Sequence, residues 1–291
     1  MAMGGPKSLV EVRPFMAAFL GSPAPSPIVS AVIERYKQIG NKSPLPELVK
    51  SQAAALEREL GKEFRVYEGF RYSQPTIAES FQKAVKNGAT RIIGLSMSPF
   101  ETEVTTGAYR SAFESAAYDY AIKKTFIPSW HDNQLFIRAW QEKITEVLNR
   151  LPEAERKNSV VIFTSHSIPK RYIAAGDPYQ RQIEEMVNLV VNRLDIKHWR
   201  IAWQSRGTHT TEPWIEPDVE TTLDKITLDG YKAVLEVPIG FTCDHMETLY
   251  DIDIVHRGHA KELGLRFERA ESLNTSMTFI KALADVVGRV N

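Results

Sequence analysis

Short apolar segments alternate with helical patterns along most of this 291-residue chain. The clearest segment is Ser159–Thr164, a β-branched apolar run typical of a strand that is buried on both faces. Strands that alternate with helices form parallel sheets covered by helices, so the pattern predicts an α/β fold. We expect two Rossmann-like domains, residues 1–132 and 133–291, each a parallel sheet flanked by helices. A ligand cleft is expected between them, with the last helix able to pack across the boundary.

The predicted elements follow one another in a regular order. In the first half, the predicted strands are Phe64–Tyr67, Thr90–Leu95 and Lys124–Pro128, and the predicted helices are Thr76–Lys86, Thr102–Tyr118 and Asn133–Leu148. In the second half, the strands are Ser159–Thr164, Arg200–Trp203 and Ala233–Val237, and the helices are Tyr179–Leu194, Asp218–Leu228, one that starts near His245, and Thr275–Val290.

Composition excludes several classes of protein. Lys plus Arg and Asp plus Glu number 36 each, so no general positive field exists to bind nucleic acid. The single cysteine, Cys243, cannot form an internal disulfide or hold an iron–sulfur cluster, which typically needs four cysteines. No apolar run approaches the ~20 residues that cross a bilayer, and we expect a cytoplasmic protein. Glycine-rich nucleotide-binding motifs are absent from the sequence, which disfavours dinucleotide and ATP enzymes.

The first candidate for chemistry is His166, in the segment Ser165–Pro169 that directly follows a predicted strand. Ligands of open α/β sheets bind beyond the carboxyl ends of the strands, so His166 is expected to point into the binding cleft. Taken alone, a histidine at this position is also compatible with capping or packing.

The second candidate is the segment Gly240–Asp251, which holds His245, Glu247 and Asp251. On a regular α-helix this spacing spreads the three side chains too widely for one compact site. A π-bulge would bring them together, and such bulges are frequent at functional sites. The alternative is that Asp244 caps an ordinary helix and that the acidic residues after it are solvated.

A third feature is a pair of tryptophans at and after the end of a predicted strand. Trp203 ends the strand and is followed by Gln204 and Ser205, and Trp214 lies in the loop beyond them. Aromatic side chains at strand ends suit stacking on a flat ligand. They also serve as hydrophobic anchors, and the residues alone leave both roles open.

These motifs occur in the order Ser-His-Ser-Ile-Pro, Gly-Asp-Pro-Tyr, Trp-Gln-Ser, Pro-Trp-Ile-x-Pro and Asp-His-x-Glu-Thr-Leu-Tyr-Asp. In that order they resemble the ferrochelatase family. The tail Arg269–Asn274 with Lys281–Asp285, the opening Met3–Pro6 and the segment Gly69–Tyr72 are similar to the family too. The resemblance therefore covers nearly the whole chain.

The resemblance implies an enzyme that binds a porphyrin, protoporphyrin IX or coproporphyrin III, in the interdomain cleft and inserts Fe²⁺ in haem biosynthesis. It implies no organic cofactor, because the iron is a substrate. The catalytic residues implied are His166, His245 and Glu247; the metal-holding residues are His166, Glu247 and Asp251; and the porphyrin-binding residues are Met3, Arg71, Tyr72, Trp214 and Phe241.

The chemistry explains these residue types. Two pyrrole N–H protons leave as the metal enters, so the site needs bases that work near neutrality, and an unperturbed imidazole has a pKa of ~6.5. Imidazole and carboxylate hold Fe²⁺ weakly enough to release it, whereas a thiolate cage would retain the ion.

The sequence also departs from the family pattern. Only Met1-Ala2-Met3 precedes Gly4, where relatives usually have a full apolar strand, and Val255 occupies a position that is usually acidic. These departures support the alternative of a tetrapyrrole-binding carrier without catalysis. A chelatase for another metal or tetrapyrrole is a further alternative.

Phe15, Met16, Phe19 and Leu20 predict an apolar lip that touches a membrane surface. Their spacing equally fits a helix that packs on its own domain, because i, i+1, i+4 and i+5 is ordinary core spacing.

Overall fold

The structure is a computed structural model, and it describes residues 1–194, 196–207 and 211–290. A 3₁₀ turn at Leu9–Glu11 and π-helices at Glu103–Gly107 and Glu247–His256 accompany the regular elements. In chain order these are α1 (Val12–Leu20), α2 (Ser26–Gln38), α3 (Leu45–Leu60), α4 (Ile77–Lys86), β1 (Arg91–Leu95), α5 (Ala108–Ala116), β2 (Lys123–Ile127), α6 (Gln134–Leu148), α7 (Glu153–Lys157), β3 (Ser159–His166), α8 (Lys170–Ala174), α9 (Tyr179–Leu194), β4 (Trp199–Gln204), α10 (Val219–Leu228), β5 (Ala233–Val237), α11 (Arg257–Glu262), β6 (Arg266–Arg269) and α12 (Met277–Gly288).

The described residues form two compact units. The first comprises residues 1–130, 243–246 and 274–290, and the second comprises residues 131–242 and 247–273. The chain therefore leaves the second unit at Cys243, returns to it at Glu247, and ends in the first unit with α12.

The first unit contains a two-stranded parallel sheet, in which β1 pairs with β2 from Arg91–Lys123 to Leu95–Ile127. Helices α4 and α5 cover it through a cluster of buried apolar residues: Ile77, Phe81, Tyr109, Phe113 and Ala117. Phe81 and Phe113 meet edge to face with ring centroids 5.6 Å apart, a preferred geometry for aromatic pairs.

The second unit contains a four-stranded parallel sheet in the order β4-β3-β5-β6. Strand β3 has parallel partners on both sides, and its residues are buried up to Ser165. One face packs against α10, the π-helix and α11 through apolar side chains that include Ile162, Leu223 and Ile252. Both sheets are parallel and flanked by helices, so the prediction of an α/β fold is confirmed.

Local sequence accounts for where several helices begin. Thr76 and Glu79 form a capping box, in which each side chain accepts a hydrogen bond from the backbone N–H of the other residue. Asn133 accepts from the backbone of Leu135 and Phe136, and Asp218 caps α10 at Thr221. At these three predicted helix starts, a polar side chain therefore satisfies N–H groups that the helix leaves unpaired.

The predicted strand Phe64–Tyr67 is wrong. The backbone at these residues pairs with no other strand and lines a cavity of about 540 Å³, together with β1 and apolar side chains of α3, α4 and α12. Strand pairing begins only where Met1–Met3 lie beside it, with Ala2 N–H donating to the Gly69 carbonyl at 3.1 Å. An apolar, β-branched segment makes a strand only when a neighbouring backbone supplies the hydrogen bonds.

Several other elements differ from the predictions. The helix expected at Thr102–Tyr118 begins as the π-helix Glu103–Gly107 and continues as α5. Helices α2 and α3 and strand β6 were not predicted, because their apolar residues are mixed with charged ones and give a weak pattern.

Helix α1 corrects part of the predicted apolar lip. Met16 is buried with Val12 against Val29 and Tyr36 of α2, and Phe15 packs against the same cluster. Phe19 and Leu20 are exposed at the end of the helix. The predicted apolar lip is therefore reduced to Phe19 and Leu20, because helical spacing points Met16 toward the core. No helix in the described part of the chain is long and apolar enough to cross a bilayer.

The amino group of Met1 is expected to make the stability of the protein depend on pH. It lies at the edge of the cavity and donates to the Leu95 carbonyl at 2.6 Å, and burial lowers its pKa from 8.0 to about 5. Between these pH values folding must release a proton that the unfolded chain holds, so the free energy of unfolding rises from pH 5 to pH 8.

In a chain that begins at Met1, acetylation of this amine removes the titration while an N–H remains to donate. We expect urea denaturation to show that acetylation stabilises the protein by about 3 kcal/mol near pH 6, a gain that approaches about 4 kcal/mol below pH 5, where the whole difference in pKa acts. The gain should vanish at pH 9, where the free amine is neutral in both states. An equal gain at both pH values would contradict the assignment to this amine.

Candidate active site

His166 is the last residue of β3, at the carboxyl edge of the four-stranded sheet. It is half-buried and stands in register with Gln204, the last residue of β4. Its Nδ1 lies 2.5 Å from the carbonyl oxygen of Ser167. Because a carbonyl only accepts, Nδ1 carries the proton, and Nε2 presents the lone pair of the ring. The ring is therefore held in the tautomer that lets Nε2 act as a base or a ligand.

Tyr179 holds the backbone on which His166 stands. Its hydroxyl donates to the His166 carbonyl at 3.0 Å and lies 2.6 Å from the Ser165 hydroxyl, which therefore donates to it. Burial raises the pKa of Tyr179, and the hydrogen bond from Ser165 offsets a part of that rise. The phenol stays neutral, and it ties the first residue of α9 to the end of β3.

Gly240 brings the segment after β5 against the same strand end. Its N–H donates to the Thr164 carbonyl at 3.1 Å, and a Cβ at this position would lie only 2.8 Å from the Ser165 Cα. Glycine is therefore required here by close backbone approach rather than by an unusual φ angle.

Glu247 and Asp251 lie in the π-helix Glu247–His256, the geometry that their spacing required. Two residues at the end of β4 hold the start of this helix. The Gln204 side-chain amide donates to the Glu247 carbonyl at 2.8 Å, and the Ser205 hydroxyl donates to the Asp251 carboxylate. Since Gln204 is the register partner of His166, the acidic helix is anchored to the strand beside the histidine.

His245 belongs to the 243–246 segment of the first unit. Its side chain is buried, and Nδ1 lies 3.0 Å from the Cys243 carbonyl, so this ring also carries its proton on Nδ1. The neighbouring Asp244 is bound to Asn274 in two ways: its N–H donates to the side-chain oxygen at 3.0 Å, and its carboxylate accepts from the amide nitrogen at 2.8 Å. These bonds fix the segment that carries His245.

The residues predicted to bind a porphyrin lie in separate groups. In the second unit the Trp214 ring is tilted against the His166 ring, with centroids 6.4 Å apart, and Phe241 is half-buried. In the first unit the Arg71 guanidinium lies 5.2 Å above the Tyr72 ring, and Met3 packs against Ala2 and Phe70.

The structure therefore places the Trp214 ring beside the His166 ring, and the Arg71 guanidinium beside the Tyr72 ring. In the described residues no three His, Cys, Asp or Glu side chains are close enough to hold a metal ion. The assignment of His166, Glu247 and Asp251 as metal-holding residues stays a prediction.

Sequence reasoning missed the residues that support this site. Tyr179, Gln204, Ser205 and Gly240 stand inside motifs that were recognised, but no role was predicted for them. Their roles depend on contacts across 13 to 76 residues of sequence. A motif marks such residues as worth attention without saying what they touch.

Solved structures share the fold. The chelatase SirB from Bacillus subtilis, solved with Fe³⁺, superposes with a TM-score of 0.58 over 83% of this chain and 89% of its own, at 15% sequence identity. A second SirB structure, from B. subtilis subspecies spizizenii in complex with cobalt, also gives a TM-score of 0.58. At this identity the likeness establishes the fold alone, an α/β fold that this chain shares with SirB.

Sequence comparisons are more specific. The sequence model of the family Ferrochelatase matches residues 1–290. A ferrochelatase of Herpetosiphon aurantiacus is 35% identical over 99% of this chain and 96% of its own length. A coproporphyrin III ferrochelatase of Oceanobacillus iheyensis is 33% identical over 99% of this chain and 94% of its own. The chain belongs to the ferrochelatase family, and the resemblance read from the motifs is confirmed.

Replacing Tyr179 by Phe tests the support of His166. The change leaves the Ser165 hydroxyl and the His166 carbonyl without their buried partner, so we expect a loss of about 1–3 kcal/mol in the free energy of unfolding. The matched control is Tyr172→Phe, whose hydroxyl accepts only a long bond of 3.3 Å from Arg171 near the surface. That variant should remain within about 0.5 kcal/mol of the parent in denaturant titrations. Equal stability of the two variants would refute the role given to Tyr179.

Replacing Gly240 by Ala tests the close approach at the end of β3. The added methyl must displace backbone, so we expect about 1–3 kcal/mol of destabilisation, measured by thermal unfolding. Gly258 in α11 has open space around its Cα, and Gly258→Ala should instead stabilise by about 0.5–1 kcal/mol. Unchanged thermal stability of Gly240→Ala would contradict this expectation, because the loop after β5 would then move aside with no loss of free energy.

Proposed function

We propose that this chain inserts Fe²⁺ into a porphyrin in haem biosynthesis with His166 as the central catalytic residue. The observation that carries the proposal is the placement of His166. It stands at the carboxyl end of β3, with Nδ1 bound to the Ser167 carbonyl and Nε2 as the acceptor. Membership of the ferrochelatase family supplies the reaction.

The reaction exchanges two protons for one metal ion. Fe²⁺ enters the macrocycle, four nitrogens become its ligands, and the two pyrrole N–H protons leave. A neutral imidazole nitrogen suits the first acceptance of a proton, because proton transfer is most efficient when the base has a pKa near the working pH. In this proposal His166 Nε2 accepts the proton or meets the metal, and His245 and Glu247 relay protons away.

Carboxylates contribute differently from the histidines. Oxygen ligands exchange with the water shell of a divalent ion, so Glu247 and Asp251 are proposed to hold the incoming Fe²⁺ briefly. Support for this comes from their shared π-helix and from the anchoring of that helix to Gln204 and Ser205. The iron is a substrate here, so brief holding serves the reaction better than tight binding.

Flat apolar side chains are proposed to bind the macrocycle. Trp214 lies beside His166, and Phe241 follows Gly240 at the same edge of the sheet. Met3, Arg71 and Tyr72 are proposed to bind it from the first unit. Offset stacking of aromatic rings on a porphyrin provides binding energy without reacting with it.

The porphyrin is proposed to be protoporphyrin IX or coproporphyrin III. The two relatives described above carry one name of each kind: the O. iheyensis protein is a coproporphyrin III ferrochelatase, and the H. aurantiacus protein is a ferrochelatase.

We also propose a cytoplasmic enzyme that touches a membrane surface through the end of α1. Phe19 is 51% exposed and Leu20 is 47% exposed, and the Phe19 ring meets the ring of Tyr72 edge to face at 5.3 Å. An apolar helix end next to a predicted porphyrin-binding residue suits a substrate that partitions into lipid.

The test is metal insertion into protoporphyrin IX and coproporphyrin III side by side, followed through the absorption bands of the porphyrin with Fe²⁺ or Zn²⁺. His166→Ala should lower kcat by at least about 100-fold, the usual contribution of a general base. Its far-ultraviolet circular dichroism should not change, because the side chain is half-buried at a strand end.

His198→Ala is the matched control, since the His198 ring is exposed and lies 2.9 Å from the Tyr231 hydroxyl. It should retain parental activity. Near-normal turnover of His166→Ala would refute the role of His166. Tight porphyrin binding by the parent without metal insertion would instead indicate a carrier.

A further inference from the structure

A buried acid–base pair joins β5 to the end of the π-helix. Glu236 is fully buried in the middle of the sheet, between Ile162 of β3 and Arg269 of β6. His256 is the last residue of the π-helix and is 2% exposed. Its Nδ1 lies 3.0 and 3.1 Å from the two carboxylate oxygens of Glu236. The proposed reaction gives neither residue a role.

The surroundings of the pair are apolar. Val234 and Ile162 share its sheet face, and they belong to the core cluster that also contains Leu223 and Ile252. A carboxylate in such a core is costly to bury unless it is paired, and an aliphatic side chain would fill the place at lower cost. Stability alone therefore does not account for Glu236.

Charge interactions act on His256. Burial lowers the pKa of His256, but the negative charge of Glu236 and its hydrogen bond outweigh burial, and the pKa is raised overall. Glu220 of α10 and Asp251 of the π-helix add to this rise. Carboxylates from three different elements therefore influence this one ring.

The π-helix needs a polar contact to select its orientation. Its apolar side chains lie on every side: Leu249, Tyr250, Ile252, Ile254 and Val255. An apolar stripe on one side normally decides which side of a helix is buried, and this helix lacks such a stripe. Several rotations about its axis would bury similar apolar area, so burial alone does not select one of them.

The observed rotation buries Thr248, Ile252 and His256 and leaves Glu247 and Asp251 half-buried in the adjacent row. A π-helix bonds residues five apart, so Asp251 and His256 are the two ends of one turn. In an α-helix, where hydrogen bonds join residues four apart, the Asp251 carbonyl would accept from the N–H of Val255 instead of His256. The side chains after Asp251 would then move by one position relative to those before it, a rotation of about 100° about the helix axis. The position of His256 therefore sets where the acidic residues point.

We propose that the buried Glu236–His256 pair locks the register of the π-helix and so positions Glu247 and Asp251 for metal insertion. Glu236 and His256 are positioning residues, acting through the acidic pair. A single polar contact in an apolar interface is known to fix register in coiled coils, at a cost in stability. Gln204 and Ser205 hold the start of the same helix, so it is fixed at both ends. The expected effect of the pair on catalysis rests on the proposed function, whereas its expected effect on the π-helix does not.

The test replaces the ion pair by an apolar pair of similar volume, Glu236→Leu with His256→Phe. The matched control makes the corresponding changes in an imidazole–carboxylate pair at the surface, Asp224→Leu with His259→Phe, where the two side chains lie 2.9 Å apart. Hydrogen exchange followed by mass spectrometry reports on residues 247–256, and steady-state kinetics with Zn²⁺ report on insertion.

We expect the core double variant to fold, with exchange in residues 247–256 at least 10-fold faster and exchange in β3 unchanged. Its kcat should fall about 10-fold while the KM for porphyrin stays the same, because the porphyrin-stacking residues are untouched. The surface double variant should match the parent in both measurements. If the core variant does not fold, Glu236→Gln removes the charge at nearly constant shape and should show the same two effects more weakly.

Parental exchange and parental kcat in the folded core variant, or in Glu236→Gln, would overturn the proposal. Faster exchange with parental kcat would also overturn it, because the pair would then be structural only. If the parent protein itself inserts no metal, the proposed function fails, and hydrogen exchange still decides whether the pair locks the helix.

Discussion

Parallel pairing of β3 with β4 on one side and β5 on the other is the constraint on which the second unit depends. Parallel strands end at a common edge, so the segments that follow them are brought together whatever their separation in sequence. His166, Gln204 and Gly240 meet at this edge for that reason. The hydrogen bonds of the ladder also fix the register, which places His166 opposite Gln204 rather than one residue away.

Polar contacts refine what the sheet brings together. Tyr179 holds the His166 backbone, the Ser167 carbonyl fixes the ring tautomer, and Gln204 holds the Glu247 carbonyl. Each of these groups is buried or partly buried, so loss of one of these hydrogen bonds would leave a polar group without water and would cost its full desolvation free energy. The candidate site is therefore preorganised: His166 and the helix that carries Glu247 are held in place by the protein itself.

The first unit shows what happens where pairing is incomplete. Strands β1 and β2 pair over five residues, and Met1–Met3 continue between Gly69–Tyr72 and the end of β1. Before that point the segment Phe64–Tyr67 pairs with no strand of the described residues, and a cavity of about 540 Å³ lies between it and β1. The amino group of Met1 lies at the edge of this cavity, where burial disfavours its charged form and lowers its pKa.

The sequence by itself determined the α/β class, most of the strands and helices of the second unit, and the identity of the candidate bases. Those features follow from local periodicity, capping residues and ordered motifs, which act over a few residues. Tertiary structure decided that Phe64–Tyr67 pairs with no strand of the described residues, that Met16 turns inward, and that α12, which the sequence allowed to pack across the boundary, belongs to the first unit. It also decided that Glu236 and His256, 20 residues apart, form one buried pair. The physical reason is that burial and hydrogen bonding depend on which distant segments become neighbours, and no local pattern encodes that.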